Sequence, residues 1–119
     1  MSAGLSSVRD CLFCKFVARE MSVDIISETD HTVALYDIEP QAEKHILILS
    51  KEHQPDIGSL LEADPEAAIA VLTEAKQLAK AYGDGSYRLV FNTGEKSGQT
   101  IFHCHAHVLI GQVTVALPG

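Results

Sequence analysis

The alternation of apolar and polar residues predicts a chain built mainly from strands. Five segments have the length and composition of strands: residues 24–29, 31–37, 44–50, 86–92 and 101–110. A turn near residues 28–30 separates the first two segments. A glycine-containing connection, residues 93–99, precedes the last one, so the two C-terminal strands are predicted to be joined by a tight loop.

Two segments have helical periodicity instead. Asp64 is a suitable N-cap, Pro65 occupies the first helical position and Gly83 follows the end, which predicts a long helix over residues 64–82. Its apolar stripe is Ala68, Val71, Leu72, Ala75, Leu78, Ala79 and Tyr82. Residues 10–20 predict a short helix. Strands followed by one long helix and further strands are typical of an α+β fold, with a five-stranded antiparallel sheet and helices packed on it.

Composition narrows the class of protein and its partners. The chain has 119 residues, of which 46% are hydrophobic and 21% charged, so one domain over residues 1–119 is predicted, with residues 1–9 flexible. The formal net charge is −7, which disfavours nucleic acid and anionic membranes as partners. The N-terminal residues contain no apolar leader segment, and a cytoplasmic location is therefore expected.

The segment "TIFHCHAHVLI", residues 100–110, contains three histidines at strict two-residue spacing. On a strand, His103, His105 and His107 share one face at intervals of about 6.8 Å. Ligands of one metal ion lie only about 2.1 Å from it, so the three rings are expected to divide their roles. A neutral imidazole is a nucleophile toward phosphorus, which suits the central His105, and His107 could donate to a phosphate oxygen or a leaving group.

Polar residues around this row suit a nucleotide. Gly94 and Gly98 permit a backbone turn that approaches an anion closely. Neutral hydrogen-bond donors lie on both sides of these glycines: Asn92 precedes them, and Gln99 and Thr100 follow them. Asp37 ends an apolar strand, where its carboxylate could accept both ribose hydroxyls. The simpler alternatives are a chance row of surface histidines and an ordinary hairpin loop.

Cysteine spacing indicates a second site. Cys11 and Cys14 form a CxxC pair, which with His53 and His103 would complete a tetrahedral zinc site. A redox pair and simple packing of a helix remain alternative interpretations of the same two cysteines.

Taken together, these motifs resemble one known family. "HCHAHVLIG" is similar to the signature of the histidine triad (HIT) superfamily of nucleotide hydrolases and transferases. "CLFCK", "YDIEPQAEKHILILSKEH", "YRLVFNTG" and the terminal "PG" match in the same order, so the resemblance spans residues 10 to 119. The branch it resembles is the Hint-type purine nucleoside phosphoramidases. That resemblance implies a homodimer whose sheet continues across both chains.

The resemblance also implies a function and roles for individual residues. It implies binding of purine nucleoside monophosphates and hydrolysis of phosphoramidates such as adenosine 5′-monophosphoramidate. His105 would be the nucleophile, His107 would contact the phosphate, His45 would support the catalytic network and Thr100 would serve the leaving nitrogen. The implied nucleotide-binding set is Phe13, Phe16, Leu35, Tyr36, Asp37, Ile38, Asn92, Gly98, Gln99, Thr100, His105 and His107. The implied structural zinc ligands are Cys11, Cys14, His53 and His103.

The chain departs from the family pattern in places, and other functions stay open. Cys104 and Ala106 are smaller than the usual motif residues, and the chain has no Trp, which bears on the leaving group. A dinucleoside polyphosphate hydrolase of the same superfamily is one alternative. A non-enzymatic nucleotide-binding or zinc-stabilised regulatory protein is another. A catalytic metal site in the histidine row is a third, but the row has no interleaved Asp or Glu.

Overall fold

A computed structural model describes residues 10–114 of the chain. The predicted flexibility of residues 1–9 and the match of the terminal "PG" lie outside the described residues. The elements are α1 (Leu12–Val17), β1 (Ile25–Glu28), β2 (Thr32–Tyr36), β3 (Ala42–Ser50), α2 (Ile57–Ala63), α3 (Pro65–Tyr82), β4 (Tyr87–Val90), a 3₁₀ turn (Glu95–Ser97) and β5 (His105–Val113).

The five strands form one antiparallel sheet in the order β1-β2-β3-β5-β4. The predicted α+β fold with a five-stranded antiparallel sheet is thereby confirmed. β3 and β5 are its central strands, and their register pairs Leu47 with His107 and Leu49 with His105. Two histidines of the row therefore lie in the middle of the sheet.

Helix α3 covers one face of the sheet. Asp64 caps it by accepting from the Ala67 amide at 3.2 Å, and Pro65 occupies its first turn, as the sequence predicts. The core on this side contains buried apolar residues from both layers: Ala34, Ile46, Ile48, Val71, Ala75, Leu78, Ala106 and Val108. Each large aliphatic side chain buried here contributes roughly 1.5–3 kcal/mol. Leu72 is the exception to the predicted stripe, because it is 48% exposed.

The short helix α1 covers part of the opposite face. Its Phe13 is buried together with alternate strand residues, namely Val33, Leu35, Leu47 and Leu49. A six-residue helix covers less of the sheet than the 18-residue α3 does. The uncovered part of this face carries His105 and His107, and there the structure has room for a ligand.

Strand β5 begins later than predicted. The sequence pattern places a strand over residues 101–110, whereas the strand runs from His105 to Val113. Just before it, the Cys104 amide donates to the carbonyl of Gln54 at 2.7 Å. That bond draws residues 101–104 toward the segment after β3, so the regular ladder starts only at His105.

Helix α2 was not predicted from the sequence. Asp56 caps it by accepting from the Ser59 amide at 2.8 Å, and Leu60 is its buried residue. With one buried side chain in seven residues, its apolar stripe is too short to give a helical pattern. In residues 10–114, every helix is too short or too polar to span a bilayer.

Candidate functional site

A cavity of about 470 Å³ lies on the α1 side of the sheet. All twelve residues of the nucleotide-binding set implied by the sequence line it: Phe13, Phe16, Leu35, Tyr36, Asp37, Ile38, Asn92, Gly98, Gln99, Thr100, His105 and His107. They come from α1, β2, the loop before β3, the loop before β5 and β5 itself. Its volume is in the range of pockets that hold small molecules.

Six further residues line the cavity and were missed by sequence reasoning: Leu12, Val23, Glu39, Gln41, Leu47 and Ile101. Leu47 carried a usable signal, because it alternates with His45 along β3 and so shares its face. Gln41 carried none. Ile38, which was expected in the base pocket, lies at the rim with 95% of its surface exposed, so it provides little of the wall within one chain.

His107, which lines the cavity, and the buried His45 behind it form a hydrogen-bonded pair. The Gln41 amide donates to Nδ1 of His45 at 3.1 Å, so the proton of the neutral His45 ring is on Nε2. His45 Nε2 lies 2.9 Å from Nδ1 of His107 and donates to it. His107 therefore carries its own proton on Nε2. His45 therefore contacts the histidine row through the ring of His107, whose tautomer it fixes.

His105 has the opposite tautomer. Its Nδ1 lies 2.8 Å from the carbonyl oxygen of His103, and since a carbonyl only accepts, Nδ1 of His105 carries the proton. The other ring nitrogen, Nε2, then has a free lone pair. Phe13 packs edge-on against the ring at a centroid distance of 5.0 Å, and His107 packs against it at 5.2 Å. The structure thus places an oriented imidazole with an unprotonated nitrogen at the cavity wall.

Burial keeps these rings neutral. Burial first, and then the neighbouring His105 and His45, lower the pKa of His107 from 6.5 to about 4, while Asp37 opposes the shift. Burial likewise lowers the pKa of His105, although the His103 carbonyl and Asp37 act in the other direction. Burial also lowers the pKa of His45, and the charge of Asp37 opposes this shift. Near pH 7 the rings are therefore uncharged, which is the state in which an imidazole can act as a nucleophile.

Asp37 lines the cavity beside the histidine pair. One carboxylate oxygen accepts from the Glu39 amide at 2.8 Å. The other oxygen lies 3.5 Å from Nε2 of His45 and 4.0 Å from Nδ1 of His107. Its position at the end of β2 is as predicted, and its carboxylate also stabilises any positive charge that develops on these rings.

The loop before β5 is held by the side chain of Gln99. Its amide nitrogen donates to the carbonyls of Pro55 at 2.6 Å and Ile101 at 3.1 Å, and its oxygen accepts from the Gly94 amide at 2.8 Å. Gln99 is buried, so its donors are used within the protein, and it shapes the loop rather than offering free donors. Gly98 has φ 96°, which favours glycine there, and the adjacent Thr100 is exposed at the cavity.

The four residues predicted as metal ligands meet at one point beside the cavity. Nδ1 of His103 lies 3.2 Å from Sγ of Cys11, 3.4 Å from Sγ of Cys14 and 3.2 Å from Nδ1 of His53. Sγ of Cys14 lies 3.1 Å from Nδ1 of His53. All four ligand atoms are within 4.8 Å of one another. The name Cys/His cluster is used below for these four residues.

The donor set of the Cys/His cluster fits a tetrahedral metal ion. Standard zinc bond lengths place two nitrogen ligands about 3.3 Å apart and a nitrogen and a sulfur about 3.6 Å apart, close to the observed separations. Nε2 of His103 donates to the Ser50 carbonyl at 2.6 Å, so Nδ1 presents its lone pair to the cluster. Metal-binding histidines usually have such a carbonyl behind the ring.

The same cluster is poorly suited to redox chemistry. Burial, followed by the neighbouring Cys11, raises the pKa of the Cys14 thiol to about 12. Reactive CxxC cysteines instead have lowered pKa values, because the thiolate is the nucleophile. The geometry therefore favours metal ligation over the alternative of a redox pair.

The histidine row divides between the two sites. His103 is completely buried in the Cys/His cluster and precedes β5, whereas His105 and His107 are half-buried at the cavity. Phe13 contacts both His103 and His105, so the rings lie on the same side of the sheet. The separation of His103 from the other two rings thus follows from where the strand begins, and the roles of the three rings stay predictions.

Known proteins resemble the chain over most of its length. An uncharacterized HIT-like protein of Synechocystis sp. is 36% identical over 111 residues, which cover 92% of this chain and 97% of that protein. The purine nucleoside phosphoramidase of Escherichia coli is 33% identical over 105 residues, covering 87% and 88%. The structure of a HIT family hydrolase from Clostridium thermocellum superposes with a TM-score of 0.83 at 33% identity and covers 94% of this chain and 98% of that one.

The HIT domain family matches residues 18–113, and this range contains β1 to β5 and the whole histidine row. The N-terminal boundary of the match excludes Cys11 and Cys14, so the Cys/His cluster draws two of its ligands from outside it. Family match, relatives and fold agree, and the chain belongs to the HIT domain family.

Proposed function

We propose that this protein hydrolyses purine nucleoside 5′-phosphoramidates through a covalent nucleotidyl-His105 intermediate. The family assignment supports a nucleotide-binding hydrolase. The observation that carries the finer proposal is the tautomer of His105, whose Nδ1 donates to the His103 carbonyl and leaves Nε2 unprotonated at the cavity wall. A relative that is named purine nucleoside phosphoramidase supports the substrate class.

The reaction would proceed in two displacements. Nε2 of His105 attacks the α-phosphorus, a P–Nε2 bond forms and the P–N bond to the amine breaks. The leaving amine takes a proton from a neighbouring donor, for which the Nε2–H of His107 and the hydroxyl of Thr100 are the candidates at the cavity. Water then attacks the phosphorus and returns a proton to the group that protonated the amine, the P–Nε2 bond breaks, and the nucleoside monophosphate leaves.

The cavity would bind the nucleoside through its apolar wall and its carboxylate. Phe13, Phe16 and Leu35 present apolar surface suited to a purine ring. Asp37 has one oxygen engaged by the Glu39 amide, and the remaining acceptor capacity suits ribose hydroxyls. The His107 N–H and amides of the loop before β5 would donate hydrogen bonds to the phosphoryl oxygens and so stabilise their negative charge.

The experiment compares wild type with His105→Asn on adenosine 5′-monophosphoramidate and on a diadenosine polyphosphate. The variant should bind AMP but lose at least about a thousandfold in kcat, since removal of the nucleophile abolishes the covalent route. His31→Asn, in the turn between β1 and β2, is the matched control and should keep full activity. Normal turnover by His105→Asn would refute the proposal, and a preference for the dinucleotide would favour the polyphosphate hydrolase instead.

We also propose that the Cys/His cluster binds a structural zinc ion. The short separations among its four donor atoms and the Ser50 carbonyl behind His103 support this. Bound zinc would connect the cysteines of α1 with His103, just before β5, and with His53, in the segment after β3. Cobalt titration of the full chain should give the thiolate charge-transfer bands of a tetrahedral site, and Cys11→Ser should weaken them. Absence of these bands in wild type would contradict the proposal.

A homodimer is the third part of the proposal. Strand β4 is an edge strand, because it is last in the sheet order. Three large apolar side chains on β4 and α3 are exposed: Tyr87 on β4 by 41%, and Ile69 and Leu72 on α3 by 60% and 48%. Pairing of two β4 strands would continue the sheet and cover these side chains. Leu72→Asp should therefore shift sedimentation equilibrium toward monomer, while Leu61→Asp, an equally exposed site on α2, should not. A monomeric wild type would rule out the dimer.

We further propose a cytoplasmic location and the lack of nucleic-acid and membrane partners; the formal net charge of −7 supports the lack of these partners. The non-enzymatic alternative predicts that His105→Asn leaves the cellular role intact, so complementation with that variant distinguishes it from the hydrolase.

A further inference from the structure

We propose that the Cys/His cluster positions the nucleophile, with His103 as the positioning residue that links metal binding to the orientation of His105. This inference rests on the proposed function and adds a second role to a site that would otherwise serve stability alone. Two independent contacts join the cluster to the cavity, and each is made by a residue on the cluster or next to it.

The first connection runs through a single residue. The ring of His103 is held on both nitrogens, with Nδ1 in the cluster and Nε2 donating to Ser50 at 2.6 Å. The carbonyl of the same residue accepts the Nδ1–H of His105 at 2.8 Å. The ring is completely buried and belongs to the same residue as this carbonyl, so a displacement of the ring would shift the His103 backbone. Ligation at the ring therefore restrains the acceptor that fixes the His105 tautomer.

The second connection runs through α1. Cys11 and Cys14 flank Phe13, which is 4% exposed and packs against His105 at a centroid distance of 5.0 Å. Phe13 and Phe16 also line the cavity. A helix of six residues has little stability of its own, so its position depends on tertiary contacts. Cys11 is the N-cap of α1 and Cys14 lies in its first turn, so ligation of the two thiols would hold this end of the helix, and with it Phe13, against His105.

Metal loss should disturb both connections. Two ring nitrogens 3.2 Å apart and two thiols would face one another without a cation between them. Nδ1 of His103 and Nδ1 of His53 would then need new hydrogen-bond partners, because a buried polar atom without one is costly. The rings would turn, and the His103 carbonyl would move away from His105.

His53 gives the cleanest variant for the test, because it contributes a ligand without being part of either connection. The full-length protein is loaded with zinc, and its metal content is measured. Histidine ¹⁵N NMR then reports the His105 tautomer, calorimetry gives the Kd for AMP, and kinetics on adenosine 5′-monophosphoramidate give kcat and KM. His53→Ala removes the ligand, and His53→Cys supplies a sulfur ligand in its place. Val71→Ala, buried on the opposite face of the sheet, controls for loss of stability.

The expected result is that His53→Ala loses zinc, shows a mixture of His105 tautomers and loses about tenfold or more in kcat. His53→Cys should retain zinc, the single Nδ1–H tautomer and activity within about threefold of wild type. Val71→Ala should keep the tautomer despite a lower melting temperature. Zinc removed from wild type by a chelator should reproduce the His53→Ala spectrum, which keeps the test valid where that variant does not fold.

Two results would overturn the inference: a wild type that binds no zinc, or zinc-free protein that retains the single His105 tautomer. The proposed function fails separately. A zinc-loaded protein with the correct tautomer that leaves adenosine 5′-monophosphoramidate intact would refute the hydrolase and leave the positioning contact standing, because the NMR measurement needs no turnover.

Discussion

The pH dependence of folding stability should report the buried histidine pair directly. His107 has its pKa lowered from 6.5 to about 4 by burial and by the neighbouring rings, and its side chain is 21% exposed. In the unfolded chain this histidine takes up a proton below pH 6.5, whereas in the folded chain it remains neutral until the pH approaches 4. Its contribution therefore destabilises the fold as the pH falls through this window.

The magnitude follows from the two pKa values. Between pH 7 and pH 5, a group with these folded and unfolded pKa values reduces the free energy of unfolding by about 2 kcal/mol. His107→Gln removes that contribution while leaving an acceptor for the Nε2–H of His45. Between pH 7 and pH 5, the free energy of unfolding of the variant should therefore fall by about 2 kcal/mol less than that of wild type. Contributions from other titrating groups are common to both proteins and cancel in this difference.

Urea unfolding at pH 7, 6 and 5 measures the effect, with slopes that should be unchanged between the two proteins. His31→Gln controls for loss of a histidine outside the site. Equal pH dependence in wild type and His107→Gln would refute the reasoning, because the ring would then titrate alike in the folded and unfolded chains.

Three other substitutions test the fold and the loop. Ile48→Ala leaves a cavity in the fully buried core under α3 and should cost about 2–5 kcal/mol in urea unfolding; less than about 1 kcal/mol would contradict the packing. Asp64→Ala removes the cap of α3 and should cost about 1 kcal/mol, whereas Asp64→Asn should be nearly neutral, and equal losses would exclude capping. Gln99→Ala removes three hydrogen bonds, so it should weaken AMP binding measured by calorimetry as well as stability, and an unchanged Kd would show that the loop does not depend on this side chain.

Local chemistry in the sequence was enough to identify most of the fold and the composition of the site. Alternating residues specify β2 and β3, and Asp64 with Pro65 marks the start of α3, because these signals act within one element. Of the lining residues, the two histidines, Asp37 and the polar residues of the loop before β5 were predicted from their type and position. The apolar ones were implied only by the resemblance to the histidine triad superfamily, namely Phe13, Phe16, Leu35, Tyr36 and Ile38.

The features that sequence reasoning missed depend on contacts between distant segments. The start of β5 is set by the bond from Cys104 to Gln54, which are 50 positions apart in the chain. Gln41 fixes the tautomer of His45 through its backbone amide. Because nearly every residue has such an amide, the residue type at position 41 does not predict this contact. Gln99 was expected to offer donors, yet its donors are used by backbone carbonyls that only the folded loop brings together.

The most direct test of the central claim is mass spectrometry of the protein mixed rapidly with adenosine 5′-monophosphoramidate and quenched at alkaline pH, where a phosphorus–nitrogen bond to histidine survives. The account predicts a mass increase of one adenylyl group that fragmentation of the peptide assigns to His105 and that is absent from His105→Asn. Substrate turnover with no adduct on that residue, or an adduct on His107 instead, would contradict it.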